Sequence, residues 1–260
     1  MKPVRLPGLL SAAAVMLLCC GAAAQEGEKI EADVSAREIA IESTFTGVRI
    51  VVFGAVENSR QRNPGYYDVA VVIRGPEEAV IARRKDRVAF IWLNTESRSF
   101  ARVPGYYAVL TTRPLDELAP PQVLDKNSIG FDALRFMLDD ATQDTKLRDS
   151  PFRNALVRIK QREGLFYANE RGVEFLGSSL FRSTVFLPAN VPVGQYTADI
   201  FLFHGGTLLS HTISHFTLHK QGFEKVVYVL AFDYPLAYGI LAVLVAIAAG
   251  LAASAMFRRD

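Results

Sequence analysis

Cysteine is scarce in this chain. There are two in 260 residues, Cys19 and Cys20, adjacent and inside the first apolar run. With that run removed as a leader, no disulfide, thiolate metal site, c-type haem or cysteine nucleophile remains. Charge of one sign is lacking too: the formal net charge is +2. Between residues 25 and 224 basic and acidic side chains balance almost one for one, so a nucleic-acid partner is not expected. Long apolar runs occur only at the two ends, which excludes a multi-span transporter. Composition excludes disorder, collagen and a coiled coil. The chain also lacks a Gly-x-Ser-x-Gly elbow, a His-Glu-x-x-His helix, a phosphate-binding loop and a dinucleotide fingerprint. Glu77-Glu78 and Asp139-Asp140 pair carboxylates, but neighbours in sequence point apart. The expectation is a protein without catalytic residues, without a bound metal or cofactor, and not an enzyme.

The apolar ends set the topology. Lys2 and Arg5 precede a short apolar stretch from Leu9 to Cys20, and Ala22-Ala23-Ala24 supplies small residues for a cleavage site before Gln25. That is a secretory signal over residues 1–24. A lipoprotein signal fits less well, because Leu18 rather than a small residue precedes Cys19. At the other end, Leu236 to Phe257 carries no charge. At about 1.5 Å per residue it spans roughly 33 Å, enough to cross a bilayer core. Arg258-Arg259 follow within residues 258–260 and mark the cytoplasmic side. The reading is an inner-membrane protein with one span, its N-terminal domain in the periplasm and its tail inside. Residues 223–233 form a separate amphipathic stretch, with Phe223, Val226, Val227 and Leu230 at helical spacing and Pro235 as a break. One long tilted span starting near Val226 is the alternative, and it would place Asp233 in the apolar zone.

Between the ends, over 25–222, the pattern is that of strands. Alternation or β-branched runs occur at Ile39–Thr44, Val48–Val56, Tyr66–Arg74, Ala79–Arg83, Val88–Asn94 and Tyr106–Thr112. They resume at Val173–Leu176, Ser183–Leu187, Tyr196–Phe203 and Leu208–His219. Gly205-Gly206 between two such runs marks a hairpin. Pro192-Val193-Gly194-Gln195-Tyr196 has the form of the turn that carries a tyrosine corner. Pro64-Gly65-Tyr66-Tyr67 and Pro104-Gly105-Tyr106-Tyr107 repeat as equivalent turns into strands. The fold expected is mainly β, an antiparallel immunoglobulin-like sandwich with a helical insert, plus one C-terminal transmembrane helix. The insert is placed at about 128–163. Its first helix would carry Phe131, Leu134, Leu138 and Ala141 on one face. Its second would start at Pro151 behind a Ser150 cap, bury Phe152, Ala155, Leu156 and Ile159, and end at Gly164. A split into two domains near residue 120 is the other arrangement.

Three surfaces are candidates for function. All four histidines, His204, His211, His215 and His219, fall close together. On a strand, residues four apart stand about 13 Å apart, too far to share one ion. Arg83, Arg84, Lys85, Arg87, Arg98, Arg102 and Arg113 cluster in sequence and suit an oxyanion or an acidic partner surface. Solvated strand faces are the plainer account. In the span, Ala242, Ala246, Gly250 and Ser254 make a ladder of small side chains that allows close approach of another helix.

Several segments together resemble the alphaproteobacterial family of single-span transmembrane proteins. They are Phe45-Thr46-Gly47, Val52-Phe53-Gly54-Ala55, Arg74-Gly75-Pro76, Ile91-Trp92-Leu93-Asn94, Val103-Pro104-Gly105-Tyr106-Tyr107-Ala108-Val109, Thr112-Arg113-Pro114-Leu115, Pro192-x-Gly194-x-Tyr196, Lys220-x-Gly222-Phe223-Glu224 and Pro235-x-Ala237-Tyr238-Gly239. The resemblance implies a leader, an exterior domain and one C-terminal span, and it brings no catalytic residues. It also implies frequent encoding beside a sulfite-exporter-like permease. The function expected is therefore an accessory subunit of an inner-membrane exporter of sulfite- or sulfonate-type anions, with an integral membrane permease as partner. An independent envelope binding or scaffold module, tethered by the span, is the alternative.

Overall fold

A computed structural model describes residues 27–42, 45–59, 66–88, 90–138, 151–220 and 223–257. The predicted leader, Pro64-Gly65, Asp139-Asp140, Ala141, Ser150, Gly222 and Arg258-Arg259 lie outside the described residues. The strands are β1 (Lys29–Val34), β2 (Glu38–Ile41), β3 (Gly47–Glu57), β4 (Asp68–Arg74), β5 (Glu77–Val88), β6 (Ile91–Pro104) and β7 (Tyr107–Thr111). They continue as β8 (Met137–Leu138), β9 (Phe166–Asn169), β10 (Val173–Phe175), β11 (Leu180–Pro188), β12 (Gly194–His204) and β13 (Thr207–Lys220). The chain is mainly β.

Two sheets make the body. One has the order β1-β3-β11-β10 and the other β2-β13-β12-β4-β7-β9. Each draws strands from both sides of residue 120, so neither half closes a sheet alone. Residues facing each other across paired strands share a face. Register therefore puts Val69, Val71, Ile73, Ala198, Ile200 and Leu202 on one face of the larger sheet. Strand β3 supplies Ile50, Val52 and Val56 to the same buried cluster. Burial of such side chains is worth about 1.5–3 kcal/mol each before conformational entropy is subtracted. Along β4, residues Asp68 to Ile73 are all buried, as expected of a central strand covered on both sides.

The body departs from a purely antiparallel sandwich at two edges. Strand β2 runs parallel to β13, and β9 runs parallel to β7. The second pairing has a simple cause. The chain leaves β7, passes through helices and returns, and such a crossover delivers a parallel strand.

The helical part also differs from expectation. Two short helices, Leu115–Leu118 and Pro121–Lys126, precede the predicted insert. Residues 131–133 form a turn, and Met137–Leu138 form β8, which pairs with β6. No helix therefore carries Phe131, Leu134 and Leu138 on one face. The Arg153 guanidinium donates to the carbonyls of Phe131 and Leu134, occupying acceptors that a helix would need. The free edge of β6 offers ladder bonds instead, and the Phe136 ring packs edge-on to Phe100 at 6.0 Å.

The second helix is Pro151–Arg162. Leu156 is buried, but so are Arg153 and Lys160, whereas Ile159 is half exposed. The inward face is rotated because both cations find partners, Lys160 on Glu78 and Arg153 on the carbonyls named above. Leu165 N–H donates to Lys160 O at 2.9 Å and Gly164 N–H to Gln161 O at 3.1 Å. That pair closes the helix, with Gly164 in the left-handed region at φ +72°.

The β12–β13 turn uses Gly205 and Gly206, both at positive φ. This is the hairpin geometry that matches strand twist. Beyond β13 come the helices Phe223–Asp233 and Pro235–Phe257, with Tyr234 between them. Pro235–Ser254 has mean hydropathy 2.4, and none of it is buried.

Candidate functional site

Strands β5 and β6 leave the body as an arm. From Ile91 to Arg98 every residue of β6 is exposed. Opposite them Ile81, Arg83, Arg84, Lys85 and Arg87 are exposed as well. A sheet open on both faces is not lying against the core. At about 3.3 Å per residue, that length projects roughly 25 Å.

Five of the seven predicted cations lie on this arm, and register sorts them. Arg87 faces Trp92, Lys85 faces Asn94 and Arg83 faces Ser97, all on one side of the ribbon. No carboxylate stands among them. On the other side Asp86 faces Leu93, Arg84 faces Glu96 and Ala82 faces Arg98. Arg84 lies 3.5 Å from Asp86 and 3.9 Å from Glu96. These are exposed pairs of small energetic weight. A register shift after Arg84 keeps the alternation of β5 intact, leaving Thr95 unpaired in the ladder and close enough to donate to Asp86 Oδ2 at 3.2 Å.

The other two cations are elsewhere. Arg102 stands at the base of β6, 3.7 Å from Glu77. Arg113 follows β7 and donates to the buried Asp68 at 2.7 Å. Asp68 also accepts from Thr112 at 3.0 Å. Arg113 therefore holds the end of β4 and is not part of the patch.

At the root of the arm, a groove of about 600 Å³ runs between β5 and the Pro151–Arg162 helix. Val80, Phe152, Ala155, Leu156 and Ile159 line its floor. Sequence reading missed this groove because its walls are far apart in the chain.

A polar network also escaped it. Arg74 on β4, Asp199 on β12 and His211 on β13 meet on the larger sheet. Asp199 is buried and accepts from Arg74, and His211 Nε2 lies 3.2 Å from its other oxygen. Arg74 also donates to the carbonyls of Asn127 and Ser128 at 3.2 Å. Tyr107 O–H donates to Ser128 O at 3.0 Å and accepts from Gly130 N–H at 2.8 Å. The network fastens the Asn127–Gly130 turn to the sheet. Burial holds the Tyr107 phenol neutral, raising it to about 12. The lone sequence cue is Asp199 amid apolar residues in Tyr196–Phe203.

All four histidines lie on β12 and β13. His204 stacks on Tyr66 at 3.8 Å and His211 on Phe201 at 4.3 Å. Among the described residues no group of three His, Cys, Asp or Glu side chains is placed to hold a metal. On the smaller sheet's side, Arg37, the Ser214 hydroxyl and the Val34 N–H hold the Asp33 carboxylate at about 2, tying β1 to β13.

The small-residue ladder lies on Pro235–Phe257. A Cβ at Gly250 would meet nothing within 4 Å. Among the described residues no helix lies against the ladder, and Pro235–Ser254 is unburied.

A protein-family model described as "Putative transmembrane protein (Alph_Pro_TM)" matches residues 29–259. The chain belongs to that family. The match runs through the sandwich, the arm and the apolar helix, so all three are parts of the family's common unit. No curated protein matches the chain.

Proposed function

We propose that this family member is a non-enzymatic accessory subunit of an inner-membrane exporter for sulfite- or sulfonate-type anions. Its span packs on the permease, and its β domain stands on the periplasmic side. The observation that carries this reading is the apolar helix, which is unburied over Pro235–Ser254 and presents Ala242, Ala246, Gly250 and Ser254 along one side. Small residues at such spacing let helices approach closely in lipid. The β domain binds no cofactor in this reading and acts by covering or gating the exit.

Two experiments test it. An alkaline phosphatase fusion after Lys220 is active and one after Asp260 inactive; the opposite pattern ends the periplasmic assignment. Gly250→Leu keeps the helix apolar and anchored but loses the co-purifying permease, whereas Leu244→Ala, about 240° round the helix, retains it. If Gly250→Leu retains the permease at unchanged yield, the span is a plain tether. The second reading, an independent envelope module, then takes over, and the exposed arm is the feature that favours it.

A further inference from the structure

We propose that the tip of the β5–β6 arm enters the interfacial layer of a bilayer bearing anionic headgroups. Phe90, Ile91, Trp92 and Leu93 reach the depth at which acyl chains meet headgroups, while Arg83, Lys85 and Arg87 rest on the lipid phosphates.

The tip is apolar where none of the described residues covers it. Phe90 is 86% exposed and Trp92 67% exposed, with Ile91 and Leu93 also open. Four consecutive large apolar residues in water at the end of a projecting ribbon have no structural use there. Phe90 also sits at φ +69°, a region that bulky residues rarely adopt. Glycine would suit that turn better, so the aromatic side chain stands there on an unfavourable backbone. The Arg87 guanidinium lies over the Phe90 ring, 5.5 Å from its centroid, joining the cationic row to the apolar end.

Register favours lipid over a protein groove. Trp92 shares a face with Arg87, whereas Leu93 shares the opposite face with Asp86. The apolar end is thus wetted all round. A protein surface covers one face of a ribbon; a lipid layer surrounds it. Aromatic rings prefer the depth at which acyl chains meet headgroups. The cations are one-sided and further from the tip, at the height where phosphates would lie. Their side of the ribbon carries no carboxylate, while the domain as a whole has no basic excess. An anionic bilayer surface complements that distribution. The sandwich is also held close to a membrane, since β13 ends at Lys220 and the next helix begins at Phe223.

Trp92 is the single tryptophan of the chain, so its emission reports the tip alone. Full-length protein is placed in nanodiscs of phosphatidylcholine, with or without phosphatidylglycerol. Vesicles of the same two compositions, with brominated acyl chains, are added to the phosphatidylcholine discs. The expected result is a blue shift of Trp92 with phosphatidylglycerol in the disc, or a blue shift with bromine quenching when it is in the vesicle, and neither with phosphatidylcholine alone. Arg83→Gln, Lys85→Gln and Arg87→Gln each weaken the response about fivefold, from the attraction of one cation to an anionic surface. Phe90→Asp abolishes the shift while the circular dichroism of the sheets is unchanged. Trp92 emission that stays water-like in both arrangements overturns the proposal and leaves the tip to a protein partner. A blue shift that grows with protein concentration without anionic lipid overturns it in favour of a second copy. An equal shift on phosphatidylcholine removes the role assigned to the cations.

Discussion

Tyr196 donates its hydroxyl proton to the carbonyl of Pro192, four residues back, at 2.7 Å. The ring is fully buried and stacks on Phe216 at 5.1 Å. The bond holds the Val191–Gln195 turn against the strand that follows, as a tyrosine corner does. Gly194 makes the turn at φ +140°.

Tyr196→Phe keeps the ring and removes the donor. The Pro192 carbonyl then loses its partner, and the expected loss is about 1–2 kcal/mol. Urea unfolding of the full chain in mild detergent measures it. An unchanged midpoint would show that the turn holds without this bond.

Three tyrosines resist ionisation. Burial strips water from the phenolate, raising Tyr107 to about 12 and Tyr106 and Tyr196 further. In the unfolded chain a tyrosine loses its proton near pH 10. Folded stability from these groups is therefore complete below about pH 10 and declines as pH rises through 12. Tyrosinate absorbance should rise in two waves, the later one together with loss of sheet circular dichroism. A single wave near pH 10, with the sheet signal intact, contradicts this account.

Gly54 on β3 lies between its two neighbouring strands, opposite Ala32 on β1 and Phe181 on β11. An added Cβ would meet Ala32 Cβ and Phe181 Cζ at 2.6 Å, besides the Glu31 carbonyl. Backbone and buried ring cannot yield cheaply, so Gly54→Ala should cost about 1–3 kcal/mol. Gly177→Ala, with nothing within 4 Å, should be near neutral. Equal midpoints for the two variants would refute the crowding argument.

Metal addition tests the strand reading of the histidines. His211, His215 and His219 share a face of β13 at intervals of about 13 Å, beyond the reach of one ion. Zinc or copper should leave the melting temperature unchanged. A stoichiometric rise that His211→Ala removes would mean binding to the folded state, and the extended geometry would have to be abandoned.

Much of the architecture was legible in the sequence because the signals are local. Alternation along Ser183–Leu187 fixes which side chains turn inward, whatever the partner strand. Gly205-Gly206 specifies its turn through positive φ. The apolar length after Pro235 follows from residue count and rise per residue. The helix at Pro151 and its end at Gly164 were readable from backbone preferences of proline and glycine.

Other features required the whole chain to fold. Residues Phe131 to Leu138 have helical spacing of apolar side chains, yet they form a turn and a strand. The free edge of β6 and the guanidinium of Arg153 decide that, and neither is a neighbour in sequence. Asp199 meets Arg74 across 125 positions, which no local pattern encodes. Arg113 belongs with the cations by sequence but with Asp68 in space. The sequence alone established strands, a span and a row of cations at 83–87. Only tertiary structure decided that this row stands on a projecting ribbon with an uncovered apolar end, because exposure depends on what packs beneath a strand and not on the strand itself.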